Sequence, residues 1–187
     1  MVKKVKTCVF ISGNGTNLNS LIKSSRDYEF PIKIELVISN NSQSKGLKIA
    51  KKYGIPFKFI EYKNKKDFEK TSLYEMKNRS IKFICLAGFL KILSSNFIKK
   101  FSNKIINIHP SLLPKFKGLN THKRVLKNNE KYSGCTVHFV SSSLDSGKII
   151  LQKKILIKKK ETEKTLKAKI LRLEHKAYSE SIISIFK

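Results

Sequence analysis

Short apolar runs alternate along the chain with stretches in which apolar residues recur every three or four positions. The short runs, rich in Val, Ile and Phe, predict strands over 5–11, 32–39, 57–60, 82–87, 104–108, 135–140 and 149–157. Helical spacing or helix-forming composition predicts helices over 17–26, 45–53, 67–78 and 94–101, and a long amphipathic helix over 163–185. Strands that alternate with helices define an α/β chain, a mostly parallel sheet with helices on both faces. The last two strand candidates are joined by a Ser-rich turn, which predicts an antiparallel strand near the C-terminal end. His122 falls in a Lys-rich segment that reads as loop and is a peripheral candidate for substrate contact, while His138 and His175 read as structural.

The 187 residues suit one domain, 1–187, large enough to bury a sizeable core, and no linker or internal repeat divides them. No apolar run approaches the roughly 20 residues a membrane span needs, and Met1-Val2-Lys3-Lys4 leads into a strand instead of a signal-peptide core. A cytoplasmic protein without a membrane partner is expected. Cys8, Cys85 and Cys135 lie in apolar, strand-like runs without metal-type spacing, so buried reduced thiols are expected.

A net charge of +27 raises polyanions as partners. Only Arg26, Arg79, Arg124 and Arg172 are arginines, however, and the lysines are spread over the whole chain. The aromatic residues sit inside apolar runs and do not interleave with basic ones as a base-stacking platform requires. Nucleic-acid binding is therefore not the expected function, and a diffuse positive surface is.

The run Asn107-Ile108-His109-Pro110-Ser111-Leu112-Leu113-Pro114 carries the strongest chemical signal. On a strand, Asn107 and His109 project to the same face, and the two prolines prevent a helix from following. An amide and an imidazole then converge at the carboxyl end of a strand, where open α/β sheets place their ligand crevices. Ser111 has no Gly-x-Ser-x-Gly elbow around it, which argues against a hydrolase.

After the first strand, Ser12-Gly13-Asn14-Gly15-Thr16-Asn17-Leu18 is a glycine-rich turn that opens a helix. It reads either as a cradle that points free backbone amides at a phosphate or as a helix-capping turn. It lacks the Lys-Ser/Thr of a Walker loop and the third glycine of a dinucleotide fingerprint. Further on, Gly134-Cys135-Thr136-Val137-His138-Phe139-Val140 leads to Leu144-Asp145-Ser146-Gly147. If that turn lies beside His109, Asp145 can accept a hydrogen bond from the imidazole and fix its tautomer.

Together with Leu86-Ala87-Gly88-Phe89-Leu90-Lys91-Ile92-Leu93-Ser94, these ordered motifs resemble the folate-dependent glycinamide ribonucleotide (phosphoribosylglycinamide) formyltransferases over nearly the whole chain. The resemblance implies a single Rossmann-like formyltransferase domain, acting as monomer or homodimer. It implies transfer of a formyl group from the co-substrate 10-formyltetrahydrofolate to the amine of phosphoribosylglycinamide, in purine biosynthesis and without a metal. By the same resemblance Asn107, His109 and Asp145 are catalytic, and Gly15, Thr16, Asn17 and Glu174 bind phosphoribosylglycinamide. Lys65, Leu90, Lys91, Ile92, Leu93 and Asn107 bind the folate. The chain departs from the family pattern at Lys91 and Lys65, where arginine is usual, at Leu171, where a polar contact often stands, and at Ser142, where an acid is usual. Lysine keeps the charge but not the planar bidentate pairing of a guanidinium.

Overall fold

The computed structural model describes residues 3–101 and 104–187, so Met1 and Val2 of the predicted lead-in lie outside the described residues. In chain order the elements are β1 (Val5–Ile11), α1 (Thr16–Ser25), β2 (Ile32–Ser39), α2 (Lys45–Lys52), β3 (Phe57–Phe59), α3 (Lys65–Lys77) and β4 (Phe83–Leu86). They continue with α4 (Ser95–Lys100), β5 (Ile105–His109), α5 (Thr121–Lys127), β6 (Tyr132–Phe139), β7 (Ile149–Leu156) and α6 (Glu163–Phe186).

The strands form one sheet in the order β3-β2-β1-β4-β5-β6-β7. The first five pair in parallel, whereas β6 runs antiparallel to both β5 and β7. The predicted α/β architecture and its antiparallel end are therefore both present. Because β1 lies between β2 and β4, the winding reverses there, and a crevice opens at the carboxyl ends of β1 and β4. The glycine-rich turn leaves β1 at that crevice, and the Gly88–Leu93 loop leaves β4 beside it.

Side-chain alternation along the strands divides the core in two. Val9 and Ile11 pack with Leu18, Leu21, Leu166 and Ile170 on the face covered by α1 and α6. Cys8 and Phe10 pack with Phe68, Met76 and Phe97 on the face covered by α3 and α4. The Phe10 ring meets Phe68 and Phe89 edge-on, at centroid distances of 6.0 and 5.3 Å. The fully buried Tyr178 ties α6 to the sheet, since its hydroxyl donates to the Leu86 carbonyl at 2.9 Å. A buried hydroxyl without such a partner costs about 1–3 kcal/mol, so α6 is held in one position directly behind β4 and β5.

Two elements differ from the sequence expectation. The Lys-rich segment around His122 is the short helix α5, docked by Val125 and Thr121; its basic residues favour a helix but supply too little apolar periodicity to reveal it. Strand β6 starts at Tyr132, ahead of the expected start at 135, and passes through Gly134. A Cβ at Gly134 would lie 2.0 Å from the Lys153 carbonyl oxygen and 2.6 Å from Leu112 Cδ2, so glycine allows the neighbouring strand and turn to close in.

Candidate active site

Strand β5 carries Asn107, half-buried, and His109, buried, to the sheet's carboxyl end. The turn that follows is latched by Thr136 of β6, whose hydroxyl donates to the Ser111 carbonyl at 2.7 Å and accepts from the Leu113 N–H at 3.1 Å. The β6–β7 turn brings Asp145 back over this strand end. Its Oδ2 lies 3.3 Å from His109 Nδ1 and accepts the Gly118 N–H at 2.9 Å. His109 Nε2 lies 2.9 Å from the Phe116 carbonyl oxygen. Both imidazole nitrogens thus face acceptors, and a proton on either one is satisfied.

A second histidine completes the group. His138 is buried and stands directly opposite Asn107 in the β5–β6 ladder. Its Nδ1 is 2.8 Å from the Phe139 carbonyl oxygen, so that nitrogen donates. Burial holds the His138 pKa below its ordinary value, which keeps the ring neutral and leaves Nε2 as an acceptor. The Asn107 Nδ2 amide lies 3.3 Å from that nitrogen and donates to it. Asp145 Oδ1, at 3.8 Å from His138 Nε2, is beyond a direct bond. The sequence reading leaves His138 as structural because cross-strand pairing is invisible in a single strand's alternation. The one available signal is a histidine within an otherwise apolar strand.

At the crevice, Gly15 caps α1 with φ of 71° and has no side chain with which to make a capping hydrogen bond. A Cβ there would sit 2.5 Å from Gly46 Cα, so the residue combines a left-handed conformation with close backbone approach. With no acidic residue in the first turn, the free amides of α1 present positive potential to an anion. Thr16 and Asn17 form that first turn. Asn17 Nδ2 donates to Glu174 Oε2 at 2.8 Å, whereas its buried Oδ1 has no partner among the described residues. Burial pushes the Glu174 carboxyl up to about 7, although the Asn17 bond pulls the other way. Glu174 continues the buried α6 stripe of Leu166, Ile170 and Tyr178, and a carboxylate in such a stripe is itself a sequence signal.

A cavity of about 80 Å³ lies beside Asn107, His138 and Asp145, and Phe89, Lys91 and Leu93 form part of its wall. Ile92 also lines it, and Lys91 Nζ sits 4.8 Å over the Tyr62 ring. Its volume is below the roughly 300–1,000 Å³ of enclosed ligand pockets, and Leu90 and Ile92 of the adjoining loop are exposed. Leu90, Lys65 and His109 do not line this cavity; Lys65 opens α3, and His109 Nδ1 lies 3.3 Å from Oδ2 of Asp145, which does line it. His122, on α5, has a buried Nδ1 without a partner among the described residues and a pKa lowered by burial.

Residues 5–182 match the formyl transferase family, and the chain belongs to it. It is 38% identical over 176 residues to the phosphoribosylglycinamide formyltransferase of Haemophilus influenzae, covering 92% of this chain and 83% of that one. It is 44% identical over 178 residues to the trifunctional purine biosynthetic protein adenosine-3 of Gallus gallus; there it spans 94% of its own length but only 18% of the relative's. The crystal structure of phosphoribosylglycinamide formyltransferase from Brucella melitensis matches with a TM-score of 0.93 at 35% identity, covering 98% and 96% of the two chains. Among the described residues no helix is long and apolar enough to cross a membrane.

Proposed function

We propose that this chain transfers the formyl group of 10-formyltetrahydrofolate to the primary amine of phosphoribosylglycinamide, giving the formylated amide and tetrahydrofolate. The observation that carries this reading is the convergence of Asn107, His109 and Asp145 at the carboxyl end of the sheet, the same end at which the helix N-terminus after β1 is open to a phosphate. Family membership and the relatives' names support it. In this reading the phosphate rests on the amides of Gly15, Thr16 and Asn17. Glu174 accepts from the ester's sugar, and the Leu90–Leu93 loop holds the folate, with Lys91 and Lys65 facing its anionic tail.

The substrate amine attacks the formyl carbon, and the carbonyl oxygen gains charge as the tetrahedral intermediate forms. The Asn107 amide and the His109 imidazolium stabilise that oxygen, each at roughly 10²–10³ in rate. For this, His109 exchanges its Phe116 carbonyl partner for the reacting oxygen, while Asp145 stays on Nδ1 as counter-charge. The attacking nitrogen loses one proton and the folate nitrogen gains one as the carbon–nitrogen bond to folate breaks, with His109 as the general acid. No covalent enzyme intermediate is needed. The substrates are small molecules, and the buried free thiols of Cys8, Cys85 and Cys135 accord with a cytoplasmic location.

The test is a folate-dependent formylation assay on the purified chain, offering phosphoribosylglycinamide, methionyl-tRNA and amino sugars in parallel. Turnover with the first alone is expected. Preference for either of the others would redirect the acceptor assignment.

A further inference from the structure

Ser12, the first residue after β1, belongs to both loops of the crevice at once. Its N–H donates to the Gly88 carbonyl at 3.1 Å. Its hydroxyl accepts the Leu90 N–H at 2.9 Å and donates to Asn40 Oδ1 at 2.6 Å. Its carbonyl accepts from Asn41 Nδ2 at 3.1 Å. The next carbonyl, of Gly13, accepts from Ser44 Oγ at 2.7 Å and from the Gly46 N–H at 3.2 Å. Ser12 is 6% exposed, so each of these bonds is costly to leave unmade. A single hydroxyl therefore joins the glycine-rich turn, the end of β2 and the loop after β4.

The Leu90–Leu93 segment has a second anchor at its far end. Ser94 gives its N–H to Glu69 Oε1 and its hydroxyl to Glu69 Oε2, each at 2.5 Å. Between the anchors Leu90 and Ile92 are 65% and 52% exposed, apolar side chains on a backbone held at both ends. Glu69 holds this loop without touching the turn; Ser12 holds both.

On the reading that the turn takes the phosphate ester and the loop takes the folate, we propose that Ser12 is a positioning residue that couples the two substrate sites. An ester seated on the amides of Gly15, Thr16 and Asn17 immobilises the turn. The ordered Ser12 hydroxyl then holds the Leu90 amide, and the folate loop needs less ordering when its ligand arrives. Linkage makes the effect reciprocal, so each substrate tightens the other.

The test is calorimetric titration of tetrahydrofolate with and without saturating phosphoribosylglycinamide, a pair that cannot react. In the unmodified chain the ester is expected to tighten tetrahydrofolate binding by about five-fold or more. Ser12→Ala should reduce that factor to within about two-fold of no effect. Asn40→Ala, which leaves the hydroxyl in place but removes its acceptor, should do the same, and Asn40→Asp, which keeps an acceptor, should restore it. Glu69→Ala should weaken tetrahydrofolate binding yet preserve the factor. Should Ser12→Ala fail to fold, the two Asn40 variants decide. Binding of both ligands without coupling in the unmodified chain, or undiminished coupling in Ser12→Ala or Asn40→Ala, overturns the proposal alone. Binding of neither ligand overturns the substrate reading and this proposal with it.

Discussion

Asn107 and His138 face each other across the antiparallel β5–β6 ladder, with the amide Nδ2 3.3 Å from the imidazole Nε2. The Phe139 carbonyl holds the proton on His138 Nδ1, so the ring accepts from the amide and fixes which way the amide points. His138→Ala removes that acceptor and frees the amide to rotate. The expected result is a fall in kcat of about ten-fold with much smaller changes in both KM values, because the oriented amide acts on charge that develops in the transition state. A change confined to KM, measured by steady-state kinetics, would assign His138 to substrate binding.

His109→Ala and Asp145→Asn are each expected to lower kcat by about 10²–10⁴ while the fold persists. The asparagine variant retains an oxygen for the Gly118 N–H but loses the counter-charge beside His109 Nδ1. Circular dichroism and a thermal melt check the fold. Activity near that of the unmodified chain in either variant would remove the proposed acid.

Glu174 makes stability depend on pH in a direction opposite to most carboxylates. Its pKa is raised from 4.5 to about 7 by burial, so between those values the native state binds more protons than the unfolded state. Stability from this group is therefore present below pH 4.5 and is lost as pH rises through 7. Glu174→Gln removes the penalty. The stability difference between variant and unmodified chain should grow from acid to alkaline pH by up to about 3 kcal/mol, read as a melting-temperature difference of about 2–4 °C per kcal/mol. A pH-independent difference would show that the carboxyl is not desolvated.

Gly15→Val is expected to weaken phosphoribosylglycinamide binding more than tetrahydrofolate binding, because a branched side chain blocks the approach of a phosphate to the backbone amides. The 2.5 Å approach to Gly46 Cα adds a stability cost of about 1–3 kcal/mol. Separate titrations of the two ligands check this. Equal loss of both would make the turn a structural element only.

The positive charge is spread over many lysines, and both proposed substrates are anions. Rising salt should raise both KM values and leave kcat nearly constant, since exposed charges are screened over about 8–10 Å near physiological ionic strength. Salt-insensitive KM values, together with RNA binding at about micromolar affinity or tighter and a steep salt slope, would point to a polyanion partner instead.

The local part of this protein is written in its local sequence. Each predicted strand and helix is present because side-chain periodicity is a property of neighbouring residues, and burial in β1 follows the alternation of Cys8, Val9, Phe10 and Ile11 between the two faces. Asn107 and His109 were legible at the end of a strand for the same reason. What required the tertiary structure was every relationship across the sheet: β4 beside β1, the ladder that sets His138 against Asn107, the turn that returns Asp145 to His109, and the Ser12 hydroxyl under the Leu90 amide. Those pairings depend on strand order and register, which are decided by how both faces of the sheet pack against α1, α3, α4 and α6 together. No single stretch of sequence contains that information. The helix α5 stayed hidden because it is held mainly by its docking onto a surface that exists only after the rest has folded.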